Sequence, residues 1–245
     1  MKKIYLLGLI AFGLLALSSC SDDNDALTDT TVTYYADLQM EGEDFILLPL
    51  GTAYVDPGCK ATLAGEDITD KIITVGSVDP NSVGFYYITY SAVGSDGYPV
   101  SVDRTVCVYD PSVTLDISGT YETDMNATTY GANKTPFSAY AAYYGNTSQC
   151  TGITIESVVP GIFYVNDIFG GWYEQIRGYG SRYAMTAYIS LDNDGNIGLL
   201  SSYIAGWGDG IDYLTDGVFA NETMSYSLSY AGQIYMDIVL NRVSE

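Results

Sequence analysis

Gly84-Phe85-Tyr86-Tyr87-Ile88-Thr89-Tyr90 is the stretch that sets the fold class of this chain. Successive side chains of a strand point to opposite faces, so Tyr86, Ile88 and Tyr90 share one face and Phe85, Tyr87 and Thr89 the other. Ser95-Asp96-Gly97 then supplies a hairpin turn, and Ser101 to Tyr109 returns with Val102, Arg104, Val106 and Val108 in alternation. Upstream, Val32 to Ala36 and Phe45 to Leu50 are rich in strand-forming residues, and Asp56-Pro57-Gly58 marks a turn. Short strands between turn signals, with no helical period, predict a β-sandwich. On the inward face, Tyr86 and Tyr90 read as core side chains before they read as binding groups.

The pattern continues downstream of Asp110-Pro111. Strands are expected at Leu115 to Tyr121, Phe137 to Tyr144, Gly152 to Val158, Ile162 to Asp167, Tyr183 to Leu191, Ile197 to Tyr203, Met224 to Tyr230 and Ile234 to Leu240. Pro160-Gly161, Gly170-Gly171, Asp194-Gly195, Asp216-Gly217 and Ala231-Gly232 read as the turns between them. Evenly spaced antiparallel strands imply a second all-β unit, either a closed up-and-down barrel or a second sandwich. The chain therefore divides into a leader (1–19), a tether (20–31), a first β-domain (32–110) and a second (111–245).

Composition removes several chemistries. Lys and Arg total 9 against 30 Asp and Glu, a formal charge of −21. Counterion release from phosphates needs clustered cations, so nucleic acid is not an expected partner. Histidine is absent, which eliminates Ser-His-Asp and Cys-His constellations and most transition-metal sites. No cofactor, metal or catalytic residue is expected. Asp192-Asn193-Asp194-Gly195-Asn196 has calcium-loop composition, but its glycine falls two positions too early for an EF-hand. A hairpin turn accounts for it. A two-carboxylate glycoside hydrolase, drawing on Glu174, Asp209, Asp212 and Asp216, stays a remote alternative, because sequence does not set the separation such a pair needs.

At the N-terminus, Lys2 and Lys3 precede an apolar run from Ile4 to Leu17, too short to span a bilayer, and Leu17-Ser18-Ser19-Cys20 follows. A cysteine after Leu-Ser-Ser resembles the bacterial lipobox, which implies acylation of Cys20. Ser21, Asp22, Asp23 and Asp25 resemble the surface-export signal of Bacteroidetes lipoproteins, which implies an outer-membrane protein lipid-anchored on the extracellular face. Acyl chains anchor firmly, at about 0.8 kcal/mol per buried methylene.

A second resemblance covers most of residues 40 to 110. Gly51-Thr52-Ala53-Tyr54-Val55-Asp56-Pro57-Gly58, Asp67-Ile68-Thr69, Gly84 to Tyr90, Asp96-Gly97 and Arg104-Thr105-Val106 resemble, in order, the bacterial immunoglobulin-like module of surface lipoproteins. Cys59 and Cys107 depart from that family's usual residues. They read either as a disulfide in an oxidising compartment or as small buried hydrophobes. Ser118-Gly119-Thr120-Tyr121 and the last alternating strand look calycin-like. The whole arrangement is similar to accessory lipoproteins of SusC/SusD-type uptake systems, which implies those transporter proteins as partners.

Aromatic residues collect in the second domain, where both tryptophans stand beside glycine. Trp172, Tyr173, Glu174, Arg177, Tyr179 and Arg182 form one cluster, and Trp207 with Asp209 another. Flat rings among polar side chains suit an oligosaccharide, a peptide or a partner protein. Equally, Trp172 and Trp207 would serve to plug the ends of the β-fold. The expected function is non-catalytic capture of oligosaccharide or peptide beside a TonB-dependent transporter, the alternative being an assembly subunit without a ligand. Cys20→Ala should release the protein from the membrane fraction. Replacing Asp22, Asp23 and Asp25 should leave it membrane-bound but protected from protease added to intact cells.

Overall fold

The computed structural model describes residues 32–243. Cys20 and the export residues Ser21, Asp22, Asp23 and Asp25 lie outside them. Among the described residues no helix is long and apolar enough to cross a membrane.

The first domain is an Ig-like sandwich of two sheets. One contains β1 (Ala36–Met40), β3 (Cys59–Leu63) and β4 (Glu66–Asp67). The other runs β2 (Phe45–Pro49), β7 (Pro99–Tyr109), β6 (Gly84–Val93), β5 (Ile73–Val75), with β2 parallel to β7 and the rest antiparallel. The predicted alternation holds. Ile88, Tyr90, Val106 and Val108 are buried between the sheets, with Tyr86 and Val102 packed against them.

Arg104 occupies one of these inward positions and is fully buried. Its Nε donates to the Glu43 carbonyl (3.0 Å) and one terminal nitrogen donates to the Glu41 and Gly58 carbonyls. The other terminal nitrogen meets the Asp56 carboxylate and the Tyr90 hydroxyl, and that hydroxyl donates to Asp56. The Asp56-Pro57-Gly58 turn is thus bolted to the core by a charge-assisted network.

Cys59 and Cys107 do not form the bridge considered above; both are free thiols, as is Cys150. Strand alternation is the reason. Cys59 packs with Ile88 and Tyr90 inside the sandwich. Cys107, set between the inward Val106 and Val108, points to the opposite face. There it pairs across the sheet with Phe85, whose ring meets Tyr188 of the second domain edge-on at 5.1 Å.

The second domain is a closed eight-stranded antiparallel barrel, which settles the choice between barrel and sandwich. Its strands follow chain order: β8 (Gly119–Thr123), β11 (Ile153–Val159), β12 (Ile162–Val165), β13 (Met185–Leu191), β14 (Asn196–Ile204), β15 (Tyr213–Ala220), β16 (Thr223–Tyr230) and β17 (Ile234–Arg242). Pairing of β17 with β8 closes it, with Leu240 opposite Thr123. Along β16, Met224, Tyr226 and Leu228 are buried while Ser225 and Ser227 face outward. An apolar interior with polar outward positions is the inverse of a membrane-spanning barrel.

Two expectations are corrected. Phe137 to Tyr144 is a helix, α1 (Phe137–Tyr144), that follows the short hairpin of β9 (Thr129–Tyr130) and β10 (Thr135–Pro136). Phe137 and Ala141, four apart, are its buried residues, and Gly145 ends it at φ 70°. Asp216-Gly217 is a bulge inside β15 and does not end a strand. Asp216 has φ 54°, and a Cβ on Gly217 would lie 2.6 Å from the Ile197 carbonyl oxygen.

Removing Arg104 takes the side-chain donor from the Glu41 and Glu43 carbonyls and the counter-charge from Asp56. Arg104→Ala should cost the sandwich about 3 kcal/mol or more. Hydrogen exchange should show the loss in β6 and β7 while barrel amides keep their protection.

Candidate functional site

An up-and-down barrel gathers alternate connectors at each end. Residues 124–152, 166–184, 205–212 and 231–233 all emerge at the end where β8, β12, β14 and β16 finish. The short turns at Pro160-Gly161, 192–195 and Asn221-Glu222 lie at the other. Gly161, Leu191 and Asp192 there line a cleft together with Val83 of the sandwich. The long connectors therefore face away from the first domain.

The connector from β12 to β13 folds into the barrel end. Asp167 is 1% exposed. Its carboxylate accepts N–H bonds from Phe169 (3.0 Å), Gly171 (3.0 Å) and Met185 (3.2 Å). Burial pushes the Asp167 carboxyl up to about 7, against the three amides, which favour the charged form. Tyr226 donates to the Ile168 carbonyl (2.7 Å) and Thr123 to the Gly170 carbonyl (2.8 Å). Gly171, at φ 83°, leads into a single π-helical turn over Trp172–Ile176. A Cβ on Gly171 would meet Cys150 at 2.7 Å, so only glycine passes there.

This turn separates two neighbours predicted to act together. Trp172 is 1% exposed. It stacks on Tyr130 (4.3 Å between centroids, 17° between planes) and packs against Phe137 and Tyr140. It plugs the barrel and is withdrawn as a ligand-binding residue, because the π-turn directs its ring onto α1 and the β9–β10 hairpin. Tyr173, the next residue, borders the cleft at the barrel mouth.

That cleft, about 400 Å³, is lined by Tyr173, Tyr179, Trp207, Asp209, Tyr230 and Ile234. Trp207 is 44% exposed, as is Tyr179. The Trp207 ring is braced by Tyr173 edge-on at 4.7 Å, Tyr183 at 4.9 Å and a near-parallel Tyr230 at 6.0 Å. Its loop docks on the preceding connector: the Gly206 N–H donates to the Arg182 carbonyl (2.8 Å). A Cβ on Gly206 would strike the Tyr183 ring at 2.4 Å. The Asp209 carboxylate accepts the Tyr230 hydroxyl (2.9 Å), and burial together with that bond raises the Tyr230 pKa.

Of the predicted residues, Tyr173, Tyr179, Trp207 and Asp209 share this cleft. Arg177 stands behind it, donating to the Tyr179 hydroxyl (2.7 Å) and lying 4.8 Å from the Tyr144 ring centroid. Arg182 is exposed, and Glu174 is half-buried on the π-turn; neither lines the cleft. Tyr183 and Tyr230 were not among the predicted set. Tyr230 sits immediately before the Ala231-Gly232 turn, the one sequence signal that places it at this barrel end.

The raised Asp167 carboxyl makes barrel stability depend on pH with a definite sign. The folded protein keeps this proton up to about pH 7, whereas the unfolded chain releases it near 3.8. The contribution is therefore complete below that lower value and is lost as pH rises to about 7. The stability of wild type relative to Asp167→Asn should fall by a few kcal/mol over that window, as read by barrel near-UV melts.

Comparison with known proteins places both halves. A model described as a bacterial surface protein, Ig-like domain, matches residues 38–108, and one described as a C-terminal domain matches residues 110–242. No curated protein matches the chain. A structure of the M60 catalytic domain with CBM51 domains from Clostridium perfringens ZmpB is 12% identical over 85% of this chain and 21% of its own. Its TM-score is 0.27. The lipoprotein BT2262 from Bacteroides thetaiotaomicron is 36% identical over 85% of this chain and 100% of its own, at a TM-score of 0.46. By that identity and coverage, the chain belongs to the same lipoprotein family as BT2262, with a bacterial surface Ig-like domain ahead of an eight-stranded barrel.

Proposed function

We propose that this protein is a non-catalytic lipoprotein of the outer-membrane surface that captures oligosaccharide or peptide as an accessory subunit of a SusC/SusD-type uptake complex. The observation that carries the reading is Trp207. Large rings of a monomeric domain are ordinarily covered, yet this one is 44% exposed while four tyrosines and a backbone hydrogen bond hold it still. A rigid, exposed aromatic beside a fixed carboxylate gives contact area at little entropic cost on binding. Its position opposite the sandwich end suits a module raised from the membrane by an N-terminal lipid.

The assembly reading has an observation of its own. The outward face of the four-stranded sheet exposes Phe45, Leu47, Ile73, Val75 and Tyr87. An apolar set of this kind marks surfaces that meet other proteins.

Calorimetry on protein lacking residues 1–25, against a panel of glycans and peptides, tests capture. Trp207→Ala should abolish the heat seen with wild type, with a loss of at least tenfold in affinity, while Trp172→Phe should leave it within about twofold. If no panel member binds and Trp207→Ala instead abolishes co-purification with the transporter, assembly is the function. Glycan turnover that disappears in Asp209→Asn would overturn the non-catalytic assignment.

A further inference from the structure

The geometry of the barrel mouth points to a cationic ligand group: we infer that the cleft receives an alkylammonium, such as the lysine side chain of a peptide. The inference rests on the capture reading and narrows its ligand class.

Three features of the cleft carry it. Its rings meet at right angles. The planes of Tyr173 and Tyr179 lie at 84° to that of Trp207, and Tyr230 runs at 28° to Trp207. Ring walls in two perpendicular directions fit around a compact head group, whereas a single flat platform would serve a sugar ring. Cations are drawn to aromatic ring faces, most strongly to tryptophan. The second feature is Asp209, a lining carboxylate whose one hydrogen-bond donor among the described residues is the Tyr230 hydroxyl. The third is the shortage of groups that read hydroxyls. Apart from Asp209, the lining offers three tyrosine hydroxyls and the Trp207 indole N–H; the Tyr230 hydroxyl is committed to Asp209, and that of Tyr179 accepts from Arg177. A polyol needs several free donors and acceptors, and an ammonium needs one anion and aromatic walls.

The charges around the mouth agree. No lining residue is cationic. Arg177 is engaged by the Tyr179 hydroxyl and by the Tyr144 and Tyr179 rings, so the wall left to a ligand cation is that of Trp207, Tyr173 and Tyr230. Asp212, just beyond the cleft, accepts from Ser229 and the Gly232 N–H. Of the exposed or half-buried charges on the same connector, Glu174 favours a cation and Arg182 opposes it; neither lines the cleft. The chain carries −21 overall, which favours approach of a cation at low ionic strength. Ile234 offers an apolar surface to the aliphatic stem of a lysine.

The test uses the full chain in detergent and three probes: an acetyl-Gly-Lys-Gly-amide peptide, the same peptide with an Nε-acetylated lysine, and a neutral maltooligosaccharide. The lysine peptide should bind. Acetylation of its side chain should weaken binding at least tenfold, and raising salt should weaken it further. Asp209→Asn keeps an acceptor for Tyr230 but removes the charge, and should cost about five- to tenfold. Equal binding of the two peptides, or binding of the oligosaccharide alone, overturns the cationic assignment and leaves capture standing. No binding of any probe, together with a silent panel in the broader calorimetry, removes both.

Discussion

A buried carboxylate holds the working end of the barrel in place. The interior of an eight-stranded barrel is just wide enough for side chains, so backbone groups that enter it need partners. The connector leaving β12 brings backbone amides with it, and each amide left without a partner would cost about 1–3 kcal/mol. Asp167 accepts two of them and the Met185 amide at the start of β13, and Thr123 and Tyr226 supply hydrogen bonds to two carbonyls of the same connector. With those bonds made, Ile168, Phe169, Trp172 and Ile176 fill the barrel end. Tyr173 then has a fixed position from which to brace Trp207. The exposed ring thus inherits its rigidity from a carboxyl group well beneath it.

The sandwich solves the mirror-image problem. There the irregular segments offer carbonyls, from Glu41, Glu43 and Gly58, and the buried group that gathers them is the donor-rich Arg104. Its own charge is met by Asp56. Each domain therefore pins its loops through one buried polar side chain, a donor where the loops offer carbonyls and an acceptor where they offer amides. In the barrel the consequence is functional, because the pinned segment supports the cleft; in the sandwich it is architectural.

Much of this was legible in advance where strand alternation governs. Tyr86, Ile88 and Tyr90 faced inward as their spacing required, and most barrel strands fell on their apolar alternation. Alternation also excluded the Cys59–Cys107 bridge, once Val106 and Val108 were known to face the core. Segments whose conformation is set by distant partners did not show themselves. Phe137 to Tyr144 is apolar enough for a strand, but as a helix it buries Phe137 and Ala141 on one face and sets Phe137 against Trp172. Asp216-Gly217 has turn composition, yet the closeness of Ile197 makes it a bulge.

The sequence by itself determined two all-β domains, an acidic chain without histidine, and a concentration of aromatic residues in the second half. It also brought Trp172 and Trp207 forward as equivalents. Tertiary structure alone decided between them. Barrel closure sets which connectors share an end, and a single π-turn sends Trp172 inward and Tyr173 to the mouth. Residues as distant in the chain as Tyr173, Trp207 and Tyr230 become one cleft through strand order. Local propensity acts over a few residues, whereas this assembly depends on hydrogen bonds that close a sheet on itself.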